Sequence, residues 1–234
     1  MTHGIDFICL ANSRKLSGRC VAGLRTDGNG WIRPVSDLED GRLVEEHYTL
    51  DDGCEAQLLD VVRVEVVKPQ VLPHQPENWI LAKKPWKLLR RISPADAMRH
   101  LEPALIPGPD LLGNRSDRVA VVDLKKRAAA SSLALVAPES LEWTVTKSMR
   151  GNRQIRAVFE LRKTSYDLVV TDPRWERRLS SLQLGTHPRE AASLERNFRV
   201  LFTVSLSEPF EAQAHCFKLV AGVLVLPAAR EVHR

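Results

Sequence analysis

Residues 5–36 read IDFICLANSRKLSGRCVAGLRTDGNGWIRPVS and hold three short apolar segments, which open at Ile5, Cys20 and Trp31. The connections between these segments are too short to contain a helix. The stretch therefore predicts an antiparallel meander of three strands. The connector Asn12–Lys15 places an amide, a hydroxyl and two cations where the first two strands meet, and this combination suits a polar or anionic ligand.

The turn Asp27-Gly28-Asn29-Gly30 supports the meander, because Asn and Gly tolerate the positive φ angles of a tight hairpin. Another strand is predicted at 58–68, LLDVVRVEVVK, where apolar and polar residues alternate. Segment 85–106 is predicted to be helical in pieces, since Trp86, Leu89 and Ile92 fall on one side of a helix. Proline and glycine then mark a loose domain boundary within 107–130.

The second half repeats the β character of the first. A strand is predicted at 118–124, RVAVVDL, and a helical insertion is predicted at 172–197. We divide the chain into a first unit of residues 1–115 and a second unit of residues 116–234. Six further strands are predicted in the second unit, at 132–137, 143–147, 155–161, 166–171, 199–206 and 217–226.

Composition leaves the class of partner open. The chain has 234 residues, 44% of them hydrophobic, which is enough for one large core or two small ones. Its net charge of +5 permits the neutralisation of nucleic-acid phosphates without requiring it. The four cysteines form no CxxC pair, so we expect free thiols and no structural zinc. The chain opens without a signal-peptide pattern and has no membrane-length apolar run, so we expect a cytoplasmic protein that does not contact membranes.

Signatures of catalysis are missing from the sequence. The seven histidines show no metal-ligand spacing, and neither a nucleophile elbow nor a phosphate-binding glycine loop occurs. We therefore predict no catalytic residue, no metal and no cofactor, and we interpret the chain as a binding module rather than an enzyme. The oligomeric state stays open.

Nucleic acid is the first candidate partner. Residues 142–199 hold twelve cations against seven acids. A turn at 148–152 carries part of this charge, and single-strand binders combine such cations with aromatic rings that stack on bases. Trp143 and Phe159 are the nearby rings, although both would equally suit the core. The predicted nucleic-acid-binding residues are Lys147, Arg150, Arg153 and Arg156.

A nucleotide or another small phosphorylated ligand is the second candidate, and a structural adaptor is the third. Arginine forks suit phosphate well, and the side chains of the first meander would converge if it curled into a barrel. An ion pair with the acidic segment 37–55 is an equally good interpretation of Arg33. The meander side chains could also hold two barrels together. The predicted ligand-binding residues are Asn12, Ser13, Arg14, Lys15, Arg19 and Arg33.

Several segments resemble one known family. These are ICLANSRK at 8–15, GRCVAG at 18–23, GWIRPV at 30–35, YDLVVTDP at 166–173, SLSEPF at 205–210 and KLVA at 218–221. Together they are similar to the dual OB-fold domain of prokaryotes. The resemblance implies an all-β protein with two tandem OB-like barrels packed together, and by general OB usage it implies binding of nucleic acid or a nucleotide. It marks the six meander residues named above together with Thr171, Asp172 and Lys218.

Overall fold

The computed structural model describes residues 2–195, 197–210 and 214–228. Strands account for 52% of the protein and helices for 13%, so the predicted all-β class is confirmed. The first half contains β1 His3–Lys15, β2 Gly18–Arg25, β3 Trp31–Val35, α1 Glu45–Tyr48, β4 Asp60–Pro69, β5 Asn78–Leu81, β6 Lys87–Arg91 and α2 Ala97–Leu101, followed by a 3-10 turn at Glu102–Ala104.

Strands β1 to β5 close into a barrel. Their order is β1-β2-β3-β5-β4, and β4 pairs back onto β1, so the five strands form a closed ring, to which β6 is added beside β4. The pairing of β3 with β5 is parallel, and every other pairing in the closed ring is antiparallel. Alternation fills the interior, since Val62, Val64 and Val66 of β4 are all fully buried. This arrangement, with a short helix between the third and fourth strands, is the five-stranded barrel of an OB fold.

The second half also consists mainly of strands. It contains β7 Arg118–Ala120, α3 Val121–Lys126, β8 Leu133–Val136, β9 Leu141–Lys147, β10 Arg153–Leu161, β11 Thr164–Val170, α4 Pro173–Arg178, β12 Gly185–Pro188, a 3-10 turn at Arg189–Ala192, β13 Phe198–Phe210 and β14 His215–Pro227.

The second sheet repeats the strand order of the first barrel. Its order is β9-β10-β11-β14-β13-β8, with β12 beside β9 and β7 beside β14. Because β8 and β9 are separated by only four residues, they act as the two halves of one interrupted first strand. One half pairs with β13 and the other with β10, and the β11–β14 pairing is parallel. The second half is thus an OB-type barrel whose first strand is broken at 137–140.

The two halves share a core. Leu10 of β1 packs with Leu135 of β8 and Leu201 of β13 in one buried apolar cluster. A bulge at Leu10 turns its carbonyl toward the second half, where the hydroxyl of Thr203 donates to it over 2.7 Å. Gly222 of β14 lies so close that a Cβ at this position would be 2.2 Å from the Leu10 carbonyl oxygen. The halves therefore dock backbone against backbone as well as through side chains.

Two local predictions were wrong. Lys87–Arg91 is a strand rather than a helix, because it pairs with the start of β4. Only Ala97–Leu101 and the turn after it are helical within 85–106. The strand predicted at 118–124 ends after three residues and continues as α3. The insertion predicted at 172–197 begins with α4 as expected, but it also contains β12. The division of the chain at residue 115 stays a prediction.

No helix within the described ranges is long and apolar enough to cross a membrane.

Candidate functional site

The ligand-binding face of the first barrel is covered by the second half. OB barrels bind their ligands on the face of the second and third strands and on the loops between strands 1 and 2 and strands 4 and 5. In the first barrel this face belongs to β2 and β3. Ala22 of β2 packs with Leu133 and Ala221 of the second half and is 1% exposed. Arg33 of β3 is 2% exposed. This face therefore serves the contact between the barrels.

Arg33 lies at the centre of that contact. Its Nη2 donates to the hydroxyls of Ser132 and Ser205 over 2.7 and 3.2 Å and lies 3.5 Å from Oε1 of Glu77. Glu77 also accepts a very short hydrogen bond from the Ser132 hydroxyl. Burial alone would lower the pKa of Arg33, yet its contacts with Cys20 and Glu77 hold that pKa above the usual range. The guanidinium thus joins β3 to β13 and to the residue directly before β8 in the second half.

Ion pairs border the same contact. Arg14 meets Glu176 at 2.6 Å, and Lys15 meets Glu208 at 2.8 Å. His74, in the loop after β4, contacts the other oxygen of Glu208 at 2.7 Å. Burial would raise the pKa of Glu208, but its contacts with His74 and Lys15 outweigh burial and lower the pKa to about 2. These pairs lock the first connector of the barrel onto the second half.

The structure therefore does not bring the six predicted ligand-binding residues together. Ser13 is buried and donates to the Cys20 carbonyl over 3.3 Å. Asn12 and Arg19 lie together on another side, where both donate to Oε1 of Glu55 over 3.0 and 2.7 Å. Arg14, Lys15 and Arg33 each have a carboxylate partner of their own, as described above. Whether any of the six contacts a ligand stays a prediction.

The second barrel keeps its corresponding face open. It meets the first barrel through β8, β13 and β14. Although β14 is the sheet neighbour of β11, the outward residues of β9, β10 and β11 keep part of their surface exposed. On β9, β10 and β11, inward residues such as Ile155 and Leu168 are buried, and the residues between them face outward and are partly or fully exposed. The open face consists of Glu142, Thr144, Thr146, Gln154, Arg156, Val158, Glu160, Ser165, Asp167 and Val169.

The four predicted nucleic-acid-binding residues occupy three kinds of position. Lys147 and Arg150 are exposed on the hairpin between β9 and β10, and within the described part of the chain neither has a carboxylate partner. Arg153 donates to the carbonyls of the segment after α4, where it closes one end of the barrel. Arg156 is on the open face and is paired with Asp167 at 2.7 Å. Their binding role stays a prediction.

The prediction that bases stack on the rings of Trp143 and Phe159 is wrong. Trp143 and Phe159 are 0% and 1% exposed, and both contact Phe202 in the core of the second barrel. Their alternate neighbours Thr144 and Thr146 are the outward residues instead. The alternation of apolar and polar residues along β9 already predicts that Trp143 points into the core, whereas the basic composition of the segment favoured a ligand-binding interpretation.

Among the described residues, no group of three or more His, Cys, Asp or Glu side chains could hold a metal ion.

One comparison with known proteins agrees with this architecture. A family model for the dual OB-containing domain matches residues 5–223. No curated protein matches the chain. A crystal structure of the tetrameric p202 HIN2 aligns over 97% of this chain and 91% of that chain, with 10% identity and a TM-score of 0.27. A structure that describes the molecular basis for abrogation of activation of pro-inflammatory cytokines aligns over 95% and 92%, with 7% identity and a TM-score of 0.28.

Scores of this size establish neither a shared fold nor a shared function. The family match is of another kind, because it spans nearly the whole chain and agrees with two barrels of the same strand order. OB-fold domains in general bind nucleic acids. The chain belongs to the family of the dual OB-containing domain.

Proposed function

We infer that this protein is a binding module for single-stranded nucleic acid and that the nucleic acid binds to the open face of the second barrel. One observation carries this inference. The two barrels dock asymmetrically, so that the first barrel loses its second- and third-strand face and the second barrel keeps its own. The face that OB barrels use for oligonucleotides is therefore accessible once in this protein.

The hairpin end of that face suits a flexible polyanion, whereas the strands themselves carry Glu142, Glu160 and Asp167 against Arg156. The hairpin between β9 and β10 supplies the cations Lys147 and Arg150 at one end, where phosphates would be neutralised. Thr144, Thr146 and Gln154 supply hydroxyl and amide groups for hydrogen bonds to sugars and bases. The rings of these strands point into the core, so phosphate contacts provide most of the affinity. We expect steep salt dependence and little sequence preference.

The test is fluorescence anisotropy of a labelled oligothymidylate with the wild-type protein and with K147A/R150A. On single strands each phosphate contact contributes about 0.7 to the slope of log K against log salt. Losing two contacts should flatten the slope by about 1.4. At about 50 mM salt the same loss weakens binding by roughly 0.9 log units per contact.

The matched control is K87A/R90A, which removes two exposed cations from β6 in the first half. These two residues are far in sequence from the open face and also lack a carboxylate partner within the described part of the chain. K87A/R90A should bind like the wild type. Equal losses in the two double variants would show that only net charge matters, and the proposed face would then be wrong.

A further inference from the structure

A cleft of about 350 Å³ opens between the two barrels, on a different side from the open face. The first barrel contributes Asn12, Arg19 and the segment 54–58 to its wall. The second half contributes Asp172, which caps α4, and Arg174 and Arg177 of that helix. Its volume lies in the range of small-molecule sites, which commonly form where two domains meet.

The carboxylates in this cleft have strong hydrogen-bond partners within the protein, and two of its arginines do not. The Glu55 carboxylate is shared between Asn12 and Arg19. The Asp172 carboxylate is 2% exposed and accepts hydrogen bonds from the backbone N–H groups of Arg174 and Val223 over 2.9 and 3.1 Å. Both carboxylates are thus engaged with protein donors, which leaves the arginines of α4 to determine what the cleft attracts.

Arg174 and Arg177 have weak partners. Nη2 of Arg174 lies 3.4 Å from Oε1 of Gln57, and Nε of Arg177 lies 3.4 Å from the Pro173 carbonyl. Among the described residues neither arginine forms an ion pair, whereas Glu176 between them is paired with Arg14. Two exposed guanidinium groups at the mouth of one cleft suit the bidentate recognition of a phosphate.

The side-chain amide of Asn12 favours a ligand that carries a hydrogen-bond donor. Its Nδ2 donates to Glu55 and to the carbonyl of Ala56, which fixes the orientation of the amide. Its Oδ1 is buried and has no hydrogen-bond partner. A ligand that carries N–H or O–H groups beside a phosphate would supply a donor for this oxygen, and a bare anion would not.

We propose that this cleft binds a small phosphorylated ligand of mononucleotide size, with its phosphate on Arg174 and Arg177. The site is separate from the open face of the second barrel and is assembled only when both barrels are docked. It includes two of the six residues expected from the sequence to bind such a ligand, Asn12 and Arg19, and it adds two arginines from the other half of the chain.

The test uses the four nucleoside 5′-monophosphates and inorganic phosphate, each at about 1 mM, with two measurements. The first is thermal unfolding, in which a ligand at 100 times its Kd should raise Tm by about 5–10 °C. The second is the alkylation rate of Cys54, followed by peptide mass spectrometry. Cys54 is an exposed thiol on the wall of the cleft, so a bound ligand should slow its reaction.

The matched variants separate this proposal from the nucleic-acid interface. R174A/R177A should lose the Tm shift and the protection of Cys54, with affinity falling about tenfold for each lost charged contact. It should still bind the oligothymidylate. K147A/R150A should show the opposite pattern. Unliganded Tm values reveal whether any variant is misfolded, and the single variants R174Q and R177Q provide milder changes if the double variant is unstable.

Two results would overturn the proposal. One is the absence of both a Tm shift and protection of Cys54 with all four mononucleotides. The other is equal protection by inorganic phosphate alone, which would assign the cleft to a bare anion. Failure of oligothymidylate binding with mononucleotide binding intact would instead count against the open face only.

Discussion

Replacing Arg33 with methionine tests whether this buried guanidinium stabilises the fold at the contact between the barrels. Methionine keeps most of the buried volume but removes the charge that faces Glu77, whose side chain is 7% exposed. Breaking a buried ion pair on one side costs about 3–5 kcal/mol, because the remaining charge is left without compensation. For a chain of this length that corresponds to a fall in Tm of about 6–20 °C.

The assay is urea unfolding of the wild type, R33M and the double variant R33M/E77Q. The double variant removes the uncompensated charge while keeping an acceptor for the Ser132 hydroxyl. Its cost should be smaller than that of R33M, because no buried charge is then left without compensation. A loss below about 1 kcal/mol in R33M would refute the reasoning, and it would return Arg33 to the set of residues free to bind a ligand.

Two further predictions concern the contact between the barrels. G222A should be destabilised by several kcal/mol in urea unfolding, because its Cβ would lie 2.2 Å from the Leu10 carbonyl oxygen. The control G4A should lose less than about 1 kcal/mol, since its new Cβ meets a flexible side chain at 3.2 Å. Equal losses in the two variants would refute the close approach of Gly222 to Leu10. The pKa of Glu208 is lowered in the folded state to about 2 from an ordinary value of 4.5, so its stabilisation is complete above pH 4.5 and is lost as pH falls toward 2. E208Q should therefore show a flatter dependence of unfolding free energy on pH in that window, and parallel profiles for the two proteins would contradict the ion pairs.

Much of the fold follows from local patterns. The valines of β4 alternate and are buried as alternation predicts, and the hairpin at Asp27–Gly30 forms where its turn residues stand. Lys87–Arg91 shows the limit of that reasoning. Trp86 and Leu89 have helical spacing, but the segment finds backbone partners at the start of β4, and ladder hydrogen bonds decide its conformation.

Less of the candidate site than of the fold could be predicted from the sequence. Composition shows that Arg14, Lys15 and Arg33 are basic, but only the folded structure shows their partners. Glu176 and Glu208 of the second half neutralise Arg14 and Lys15, and Glu77 of the first barrel neutralises Arg33. The docking of the barrels decides which barrel keeps its ligand face. The ion pairs join residues 44 to 193 positions apart, and the accessible face depends on surfaces from opposite halves, so no local pattern encodes either.

The most direct test of the proposed interface is photo-crosslinking of the wild-type protein to an oligonucleotide that carries 4-thiouridine, with the crosslinked peptides identified by mass spectrometry. Crosslinks should fall in peptides from β9 and β10 with the hairpin between them, and in β11, and should be absent from β2 and β3, which the second barrel covers. Crosslinks confined to the first barrel, or spread evenly over the surface, would contradict the account.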